Sequence, residues 1–244
     1  MSSPSHDLKT GVAQVLKDNP DLIVEALAHN EQALLLLIQQ ASARQQTREV
    51  REQRLAELKD PFAPDLSGAR PIRGNAAGPI TIVEYGDFEC PYCAVAAKTV
   101  GQLMEKQKNQ VRLILKHNPL DFHPTGKIAA FYFEAIAQQD AEKAWQFHDR
   151  VFAAPDRLKE GEAWLKEIAA SLQLDLHRFE QDLTGDAVKG IIEKDKSEAF
   201  VFGFTGTPVF LINGVSLRGA YPEQDFAEII QMTLNGPGVQ REGN

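Results

Sequence analysis

The two cysteines of the 244-residue chain, Cys90 and Cys93, stand two residues apart in the stretch "YGDFECPYC". A zinc site normally takes four ligands, and the chain has no second Cys-x-x-Cys to complete one. Covalent haem attachment needs a histidine directly after the second cysteine, where this chain has Ala94. As a crosslink, the pair would close too short a loop to restrict the unfolded chain. The spacing therefore favours a dithiol that cycles between reduced and oxidised forms.

The cysteine pair lies between a predicted strand and a predicted helix. The β-branched run "ITIVEY" at 80–85 predicts a buried strand, and the amphipathic segment 93–107 predicts a helix. A helix N-terminus presents unpaired N–H groups and partial positive charge, which favour thiolate over thiol. We therefore expect a lowered pKa at Cys90, with Pro91 in the first helical turn. Cys93, one turn further into the helix, should be less exposed.

Glu84 is out of place in a buried strand, because an unpaired buried charge is costly. Two interpretations remain open. The carboxylate either points to solvent or pairs with a lysine, or it is a buried proton acceptor for Cys93 during exchange. Lys116, which ends the next predicted strand at 111–117, is the expected partner.

The bulk composition limits the classes of partner. A formal net charge of −8 argues against nucleic acid and anionic membrane surfaces, which demand a basic face. The longest apolar run, "ALLLLI" at 33–38, is far shorter than the roughly 20 residues that span a bilayer, so no membrane insertion is expected. The opening "MSSPSHDLKTG" lacks the basic and apolar regions of a signal peptide. We therefore expect a cytosolic protein or one whose signal peptide has been removed.

The N-terminal region, residues 7–59, predicts helices with few breakers. Its apolar residues recur at helical spacing, and the sequence turns polar from residue 39; the apolar set is Leu8, Val12, Val15, Leu16, Ile23, Val24, Leu27, Leu34, Leu35, Leu37 and Ile38. Short amphipathic helices cannot bury their own apolar stripe. Residues 1–38 therefore either dock on the rest of the chain or, as we expect, self-associate. Residues 39–77 are predicted to be a helical spacer followed by a Pro- and Gly-rich linker.

The region from residue 78 to 238 has the pattern of an α/β domain. The strand, helix and strand at its start predict parallel pairing through a crossover helix. Residues 124–202 predict helices throughout. The segment 208–219 predicts a β-hairpin, because its two β runs are joined by Asn213-Gly214, a preferred type I′ pair. A last helix is predicted at 222–234.

Three stretches taken together resemble the DsbA family: "VEYGDFECPYC", "LKHNPL" at 115–120, and "GFTGTPVFLING" at 203–214. The resemblance implies a thioredoxin fold with an inserted helical domain at about 124–202. It implies that Cys90 is the nucleophile and that Cys93 resolves the mixed disulfide. It also implies a cis peptide bond at Thr207-Pro208, in a loop that faces the cysteines and binds the substrate peptide beside Pro91 and Tyr92. A glutamate six residues before the first cysteine, here Glu84, is a further family feature.

The segment "VLKDNPDLIVEAL" at 15–27 resembles the N-terminal part of the suppressor-of-copper-sensitivity C proteins and of disulfide isomerases in the same family. In those proteins this part forms trimers or dimers. The resemblance implies a periplasmic protein disulfide isomerase without a cofactor, as a homo-oligomer, with a trimer favoured. Its partners would be misfolded client proteins and a membrane-bound reductase. Two alternatives are a DsbA-like dithiol oxidase and a copper-tolerance protein that binds Cu(I) through the two thiolates.

Overall fold

The computed structural model describes residues 4–107 and 109–235. The chain divides into two compact units, Met1–Gln53 and Arg54–Asn244. This division lies upstream of the boundary predicted between residues 77 and 78. The extreme ends of the predicted domains, 1–3 and 236–238, lie outside the described residues.

The first unit consists of helices. They are α1 (Pro4–Asp18), α2 (Asp21–Ala28) and most of α3 (Glu31–Lys59), which continues into the second unit. Large apolar side chains on this unit are exposed, among them Leu8, Val12, Val15, Leu16, Leu22, Ile23, Val24, Leu27, Leu35, Leu36, Leu37 and Ile38. Within the described part of the chain, no helix is both long enough and apolar enough to cross a membrane. Self-association of this unit stays a prediction.

The second unit is built on a five-stranded sheet of order β1-β3-β2-β4-β5. The central strands β2 and β3 are parallel, and the other neighbours are antiparallel. The strands are β1 (Ile72–Gly74), β2 (Ile80–Gly86), β3 (Val111–His117), β4 (Val209–Ile212) and β5 (Val215–Arg218). Strand β1 lies inside the segment predicted as a linker. It is ordered there because it adds an edge strand to β3.

Helices cover the sheet and form the predicted insertion. The crossover helix between β2 and β3 is α4 (Pro91–Gln107), and the last helix is α10 (Glu223–Asn235). The insertion consists of a 3₁₀ turn at Pro155–Glu160 and of the helices α5 (Pro124–Ala137), α6 (Ala141–Ala153), α7 (Glu162–Ser171), α8 (Leu176–Leu183) and α9 (Asp186–Val201). Aromatic side chains fill the core of the insertion, among them Phe133, Trp145, Phe147, Phe152 and Trp164, with Phe131 partly buried beside them. The insertion thus shares one continuous apolar core with a face of the sheet.

Strand β2 is buried on both faces, and this explains its nearly continuous apolar sequence. Successive side chains of a strand point to opposite faces. Ile80 and Ile82 enter the larger core, whereas Val83 and Tyr85 enter a smaller cluster on the other side. Glu84 therefore lies on the face of Ile82.

The β4–β5 hairpin turns through Asn213 and Gly214, both with positive φ, as the Asn-Gly pair predicts. A Cβ on Gly214 would lie 2.6 Å from Pro61 Cβ and 2.7 Å from the Phe62 carbonyl oxygen. The Phe62 N–H donates to the Gly214 carbonyl at 3.0 Å. Residues that follow α3 therefore pack on this turn, which explains why they belong to the second unit.

Candidate active site

Cys90 lies where the polypeptide leaves β2 and enters α4. Its N–H donates to the Asp87 carbonyl at 3.1 Å, and its own carbonyl accepts from the Ala94 N–H at 3.2 Å. Cys90 therefore caps the helix, and Pro91, which has no N–H to leave unpaired, occupies the first helical position. Tyr92 follows and is 66% exposed. The strand–helix junction thus exposes Pro91 and Tyr92, whereas Cys90 is buried at 4% exposure and Cys93 is fully buried.

The two thiols have opposite tendencies to ionise. A hydrogen bond from the Cys93 thiol, supported by the Thr207 side chain and by helix N–H groups, lowers the pKa of Cys90 to about 5, although burial opposes the change. Burial is the main cause that raises the pKa of Cys93 well above its ordinary value; the hydrogen bond to Cys90 and the charge of Glu84 add to it. At neutral pH, Cys90 is therefore a thiolate and Cys93 a protonated thiol.

Thr207 and Pro208 face the Cys90 thiol, and the peptide bond between them is cis. The Thr207 carbonyl oxygen lies 3.3 Å from Cys90 Sγ, where it accepts from the protonated thiol. Thr207 Oγ1 is buried and has no other hydrogen-bond partner among the described residues, so its hydroxyl is available to the thiolate. An open cleft of about 210 Å³ follows this loop, lined by residues 203–209 with Arg218 and Gly219. Thr207 is common to this cleft and to the contact with Cys90 Sγ.

Glu84 is 1% exposed, which excludes the interpretation that it faces solvent. Burial raises its pKa to about 8; the charge of Arg73 lowers the pKa and the charge of Cys90 raises it. Its Oε1 has no hydrogen-bond partner within the described part of the chain. A carboxyl group with a free oxygen and a pKa near neutrality is suited to proton transfer in a dry interior.

Lys116 does not meet Glu84. The β2–β3 register places Lys116 opposite Tyr85, the next residue along β2, and paired positions share a face of the sheet. Lys116 Nζ lies 2.5 Å from Glu198 Oε1 on that other face. The predicted Glu84–Lys116 pair is therefore wrong, because the register turns the two side chains to opposite sides of the sheet.

Lys116 belongs to a buried group of charges that joins β3, α5 and α9. Arg70 contacts both oxygens of Asp195, at 2.5 and 2.8 Å. The His117 ring lies 2.9 Å from Glu134, and the His117 N–H donates to Asp195 at 3.0 Å. Burial of charge is tolerated only with such partners. The group therefore holds the helical insertion on the sheet and is not part of the thiol chemistry.

Asp87 and His123 are site residues that the sequence analysis missed. The buried Asp87 carboxylate accepts from the Leu120 N–H at 3.0 Å and lies 2.6 Å from His123 Nδ1. An acid in the short turn before Cys90 was a signal that could have identified Asp87. No local pattern points to His123, because it lies 36 residues further along the chain.

Among residues 4–107 and 109–235, no group of three or more His, Cys, Asp and Glu side chains is placed to hold a metal ion. The fold and the dithiol together define a thioredoxin-fold protein with a Cys-x-x-Cys pair at a helix start. The family model described as Thioredoxin matches residues 67–232, and the chain therefore belongs to this family. Within it, the chain is a DsbA-like protein that resembles ScsC, as the sequence predicted.

Solved structures share this fold, including the helical insertion. A thioredoxin-like oxidoreductase from Silicibacter pomeroyi DSS-3 is 26% identical, with a TM-score of 0.59 over 66% of this chain and 90% of that chain. The thiol-disulfide exchange protein alpha-DsbA2 from Wolbachia pipientis is 18% identical, with a TM-score of 0.61 over 76% and 96%. The catalytic domain of Proteus mirabilis ScsC is 21% identical, with a TM-score of 0.61 over 75% and 97%.

The curated relatives that this chain resembles are named as Na(+)/H(+) antiporters. Na(+)/H(+) antiporter NhaA 3 of Salinispora tropica is 34% identical over 190 residues, which are 78% of this chain and 28% of that protein. Na(+)/H(+) antiporter NhaA of Herminiimonas arsenicoxydans is 34% identical over 183 residues, again 28% of its length. The chain thus spans less than a third of the length of these relatives.

Proposed function

We propose that the protein catalyses thiol–disulfide exchange on polypeptide clients, and that its main reactions are disulfide isomerisation and reduction. The observation that carries this proposal is the asymmetry of the pair. Cys90 is held as a thiolate and its sulfur contacts Thr207, which lines an open cleft, whereas Cys93 is protonated; both side chains are buried, with 4% and 0% exposure. The Cys90 thiolate can attack the disulfide of a client that enters this cleft, and the Cys93 thiol can complete or delay the reaction.

In the first step, the Cys90 thiolate attacks one sulfur of a client disulfide. A mixed disulfide forms between Cys90 and the client, and the second client sulfur leaves as a thiolate. Thr207 supports this step, since its buried hydroxyl is available to donate to the attacking thiolate. The cleft along residues 203–209 is suited to an extended client segment.

The second step decides the outcome. If a client thiolate attacks the mixed disulfide, Cys90 is released as a thiolate and the client gains a different disulfide, which is isomerisation. If Cys93 attacks Cys90 Sγ, the client leaves reduced and the Cys90–Cys93 disulfide forms. In that second route, the ionised fraction of Glu84, which is the minority at pH 7 because its pKa is about 8, takes the proton of Cys93 before Cys93 attacks. The raised pKa of Cys93 favours the first route, because it prolongs the mixed disulfide.

A homo-oligomer, with a trimer favoured over a dimer, would place several cysteine pairs around one misfolded client. The exposed apolar residues of α1 to α3 support this part of the proposal, since such a surface gains stability when a second copy covers it. We further propose a periplasmic location and a membrane-bound reductase that returns the disulfide form to the dithiol.

A second candidate function is dithiol oxidation, and the low pKa of Cys90 favours it. A stabilised thiolate stabilises the reduced form, which makes the disulfide form a stronger oxidant. Both candidates use the same cysteines, so the direction of electron flow separates them.

The test compares the full chain on two substrates, scrambled RNase and reduced RNase. An isomerase restores activity to scrambled RNase, whereas an oxidase acts only on the reduced enzyme. Cys90→Ala should abolish both reactions, and Cys93→Ala should accumulate mixed disulfides with the client. The isomerase proposal fails if scrambled RNase is not reactivated while reduced RNase is oxidised.

The oligomer is tested with a Val12→Asp, Leu16→Asp double variant, which puts charge into the exposed apolar face of α1. It should lower the mass measured by light scattering and lower isomerase activity, while dithiol oxidation persists. A Lys9→Asp, Gln14→Asp variant at exposed polar positions of the same helix is the matched control. A monomer mass for the unaltered chain would refute the assembly.

A further inference from the structure

The turn between β2 and Cys90 is held by a buried acid, Asp87. Its Oδ1 accepts from the Glu89 N–H at 3.0 Å, and its Oδ2 accepts from the Leu120 N–H at 3.0 Å. His123 Nδ1 lies 2.6 Å from the same Oδ2. Because a carboxylate only accepts, the ring nitrogen donates in this contact. The fully buried carboxylate therefore accepts from three donors. Two of them are backbone N–H groups, and His123 is the only side-chain donor among the described contacts.

The main chain of Asp87 contacts both cysteines. Its N–H donates to Cys93 Sγ at 3.4 Å, and its carbonyl accepts from the Cys90 N–H at 3.1 Å. The N–H contact favours the ionised form of Cys93, because it lowers a pKa that burial otherwise raises. The position of this one peptide group therefore affects how readily Cys93 becomes a nucleophile.

The start of α5 fixes that position. His123 is the residue before the helix, and the Gly126 N–H in its first turn donates to the Glu89 carboxylate at 2.8 Å. A Cβ on Gly126 would overlap Asp87 Oδ1, so only glycine leaves room for the carboxylate. The helical insertion thus holds the turn before Cys90 through His123 and Gly126.

We propose that His123 is a positioning residue for the resolving step: it holds the Asp87 carboxylate so that the Asp87 N–H stays directed at Cys93 Sγ. This inference rests on the proposed thiol–disulfide exchange. His123 itself touches neither sulfur among the contacts of the described residues. Loss of its contact frees the turn, weakens the N–H donation, and keeps Cys93 protonated for longer. The mixed disulfide at Cys90 then persists.

The test follows the reduced full chain after mixing with oxidised glutathione. In the first phase, the Cys90 thiolate forms a mixed disulfide with one glutathione and releases the other as a thiolate. In the second phase, the Cys93 thiolate attacks Cys90 Sγ, the Cys90–glutathione bond breaks, and the second glutathione thiolate leaves. The Cys93 proton passes to Glu84 or to solvent. Quenching with acid and measuring protein mass separates the two phases.

His123→Leu should slow the second phase about tenfold, the effect of losing one hydrogen bond to a charged sulfur, and leave the first phase within about twofold. His123→Asn should restore most of the second-phase rate, because its amide can donate from nearly the same position as Nδ1. Gly126→Ala should slow the second phase although His123 is intact. His177→Leu, at an exposed histidine of α8, is the matched control.

Thermal unfolding of each variant identifies loss of fold. If folded His123→Leu and Gly126→Ala both resolve at the unaltered rate, the positioning role is refuted. If His123→Asn is as slow as His123→Leu, donation from Nδ1 is refuted as the cause. If the unaltered chain shows no first phase at all, the proposed function itself fails, so the two failures are distinguishable.

Discussion

Glu84→Gln is expected to stabilise the reduced protein at neutral pH and to impair it as a reagent. The structure buries this carboxyl with an oxygen that has no partner among the described residues, and its pKa rises from 4.5 to about 8. The folded protein therefore retains a proton that the unfolded chain releases. Glutamine resembles the protonated form and carries no such penalty at pH 7.

The magnitude follows from the two pKa values. Between pH 4.5 and 8 the folded state binds more protons than the unfolded state, so the stability of the unaltered protein falls as pH rises through this range. Each pH unit costs about 1.4 kcal/mol, which gives about 3 kcal/mol at pH 7. The buried amide hydrogens of glutamine reduce the expected gain to about 2 kcal/mol. At pH 4 the penalty is absent, the cost of the buried amide remains, and the variant should be less stable than the unaltered protein by about 1 kcal/mol.

The assay is urea unfolding of the reduced protein at pH 4 and at pH 7, followed by circular dichroism. The same variant is mixed with oxidised glutathione, where the Cys93 phase should slow about a hundredfold if Glu84 is the proton acceptor. The Cys90 phase should change little. Asp87 is a buried acid of the opposite kind. Its carboxylate accepts from three donors, whereas Glu84 has an oxygen without a hydrogen-bond partner among the described residues.

Three results would each refute a part of this reasoning. Equal stability of the two proteins at pH 7 would show that Glu84 is not a destabilising buried acid. A gain of the same size at pH 4 would show that the effect comes from packing and not from the proton. An unchanged Cys93 phase would remove Glu84 from the mechanism even if the stability result holds.

Three further predictions concern single residues. The thiolate absorbance of Cys90 at 240 nm should titrate with a midpoint near pH 5. Cys93→Ala should raise that midpoint by at least about one pH unit, because the hydrogen bond that contributes most to the low pKa of Cys90 is lost. An unmoved midpoint would exclude Cys93 as the cause. Lys116→Met should lower the free energy of unfolding by about 2 kcal/mol, since it removes the buried ammonium that contacts Asp195 and Glu198. The first phase with glutathione should stay within about twofold, and loss of exchange in a folded variant would restore Lys116 to the chemistry. Gly214→Ala should lower the free energy of unfolding in urea by about 2 to 3 kcal/mol, because the residue has a positive φ and its new Cβ would lie too close to Phe62. The control is Gly101→Ala, where a Cβ meets open space, and it should be neutral or slightly stabilising.

The sequence was sufficient for features that depend on local pattern. The strand at 80–85, the helix after Cys90, and the Asn213-Gly214 hairpin each follow from periodicity or turn chemistry within a few residues. Strand β1 was missed because three residues in a Pro- and Gly-rich segment carry no periodicity. Its structure comes from pairing with β3, about 40 residues away in sequence, through contacts such as Ile72 with Ile114.

The same limit explains the errors at the site. Lys116 pairs with Tyr85 and not with Glu84, so the expected pairing was displaced by one residue. A displacement of one residue along a strand turns a side chain to the opposite face of the sheet. Its partner Glu198 comes from α9, which no spacing rule connects to β3. His123 joins Asp87 only because α5 begins beside the turn before Cys90. Contacts that depend on how distant elements dock need the three-dimensional structure.

The attachment of α3 to the β4–β5 hairpin has a mechanical consequence. Near the end of α3, the Glu57 carboxylate accepts from the Ser216 N–H at 2.6 Å and from the Ser216 hydroxyl at 2.8 Å. Beyond the helix, the Phe62 N–H donates a hydrogen bond to the Gly214 carbonyl in the hairpin turn. Pro208 directly precedes the first strand of the same hairpin. A pulling force on α3 therefore reaches α10 through the ion pairs of Arg54 with Asp225 and Glu228, and it reaches the β4–β5 hairpin through Glu57 and Phe62. Part of this tension acts on the hairpin whose first strand follows the loop facing Cys90, so tension and client binding load one structural element.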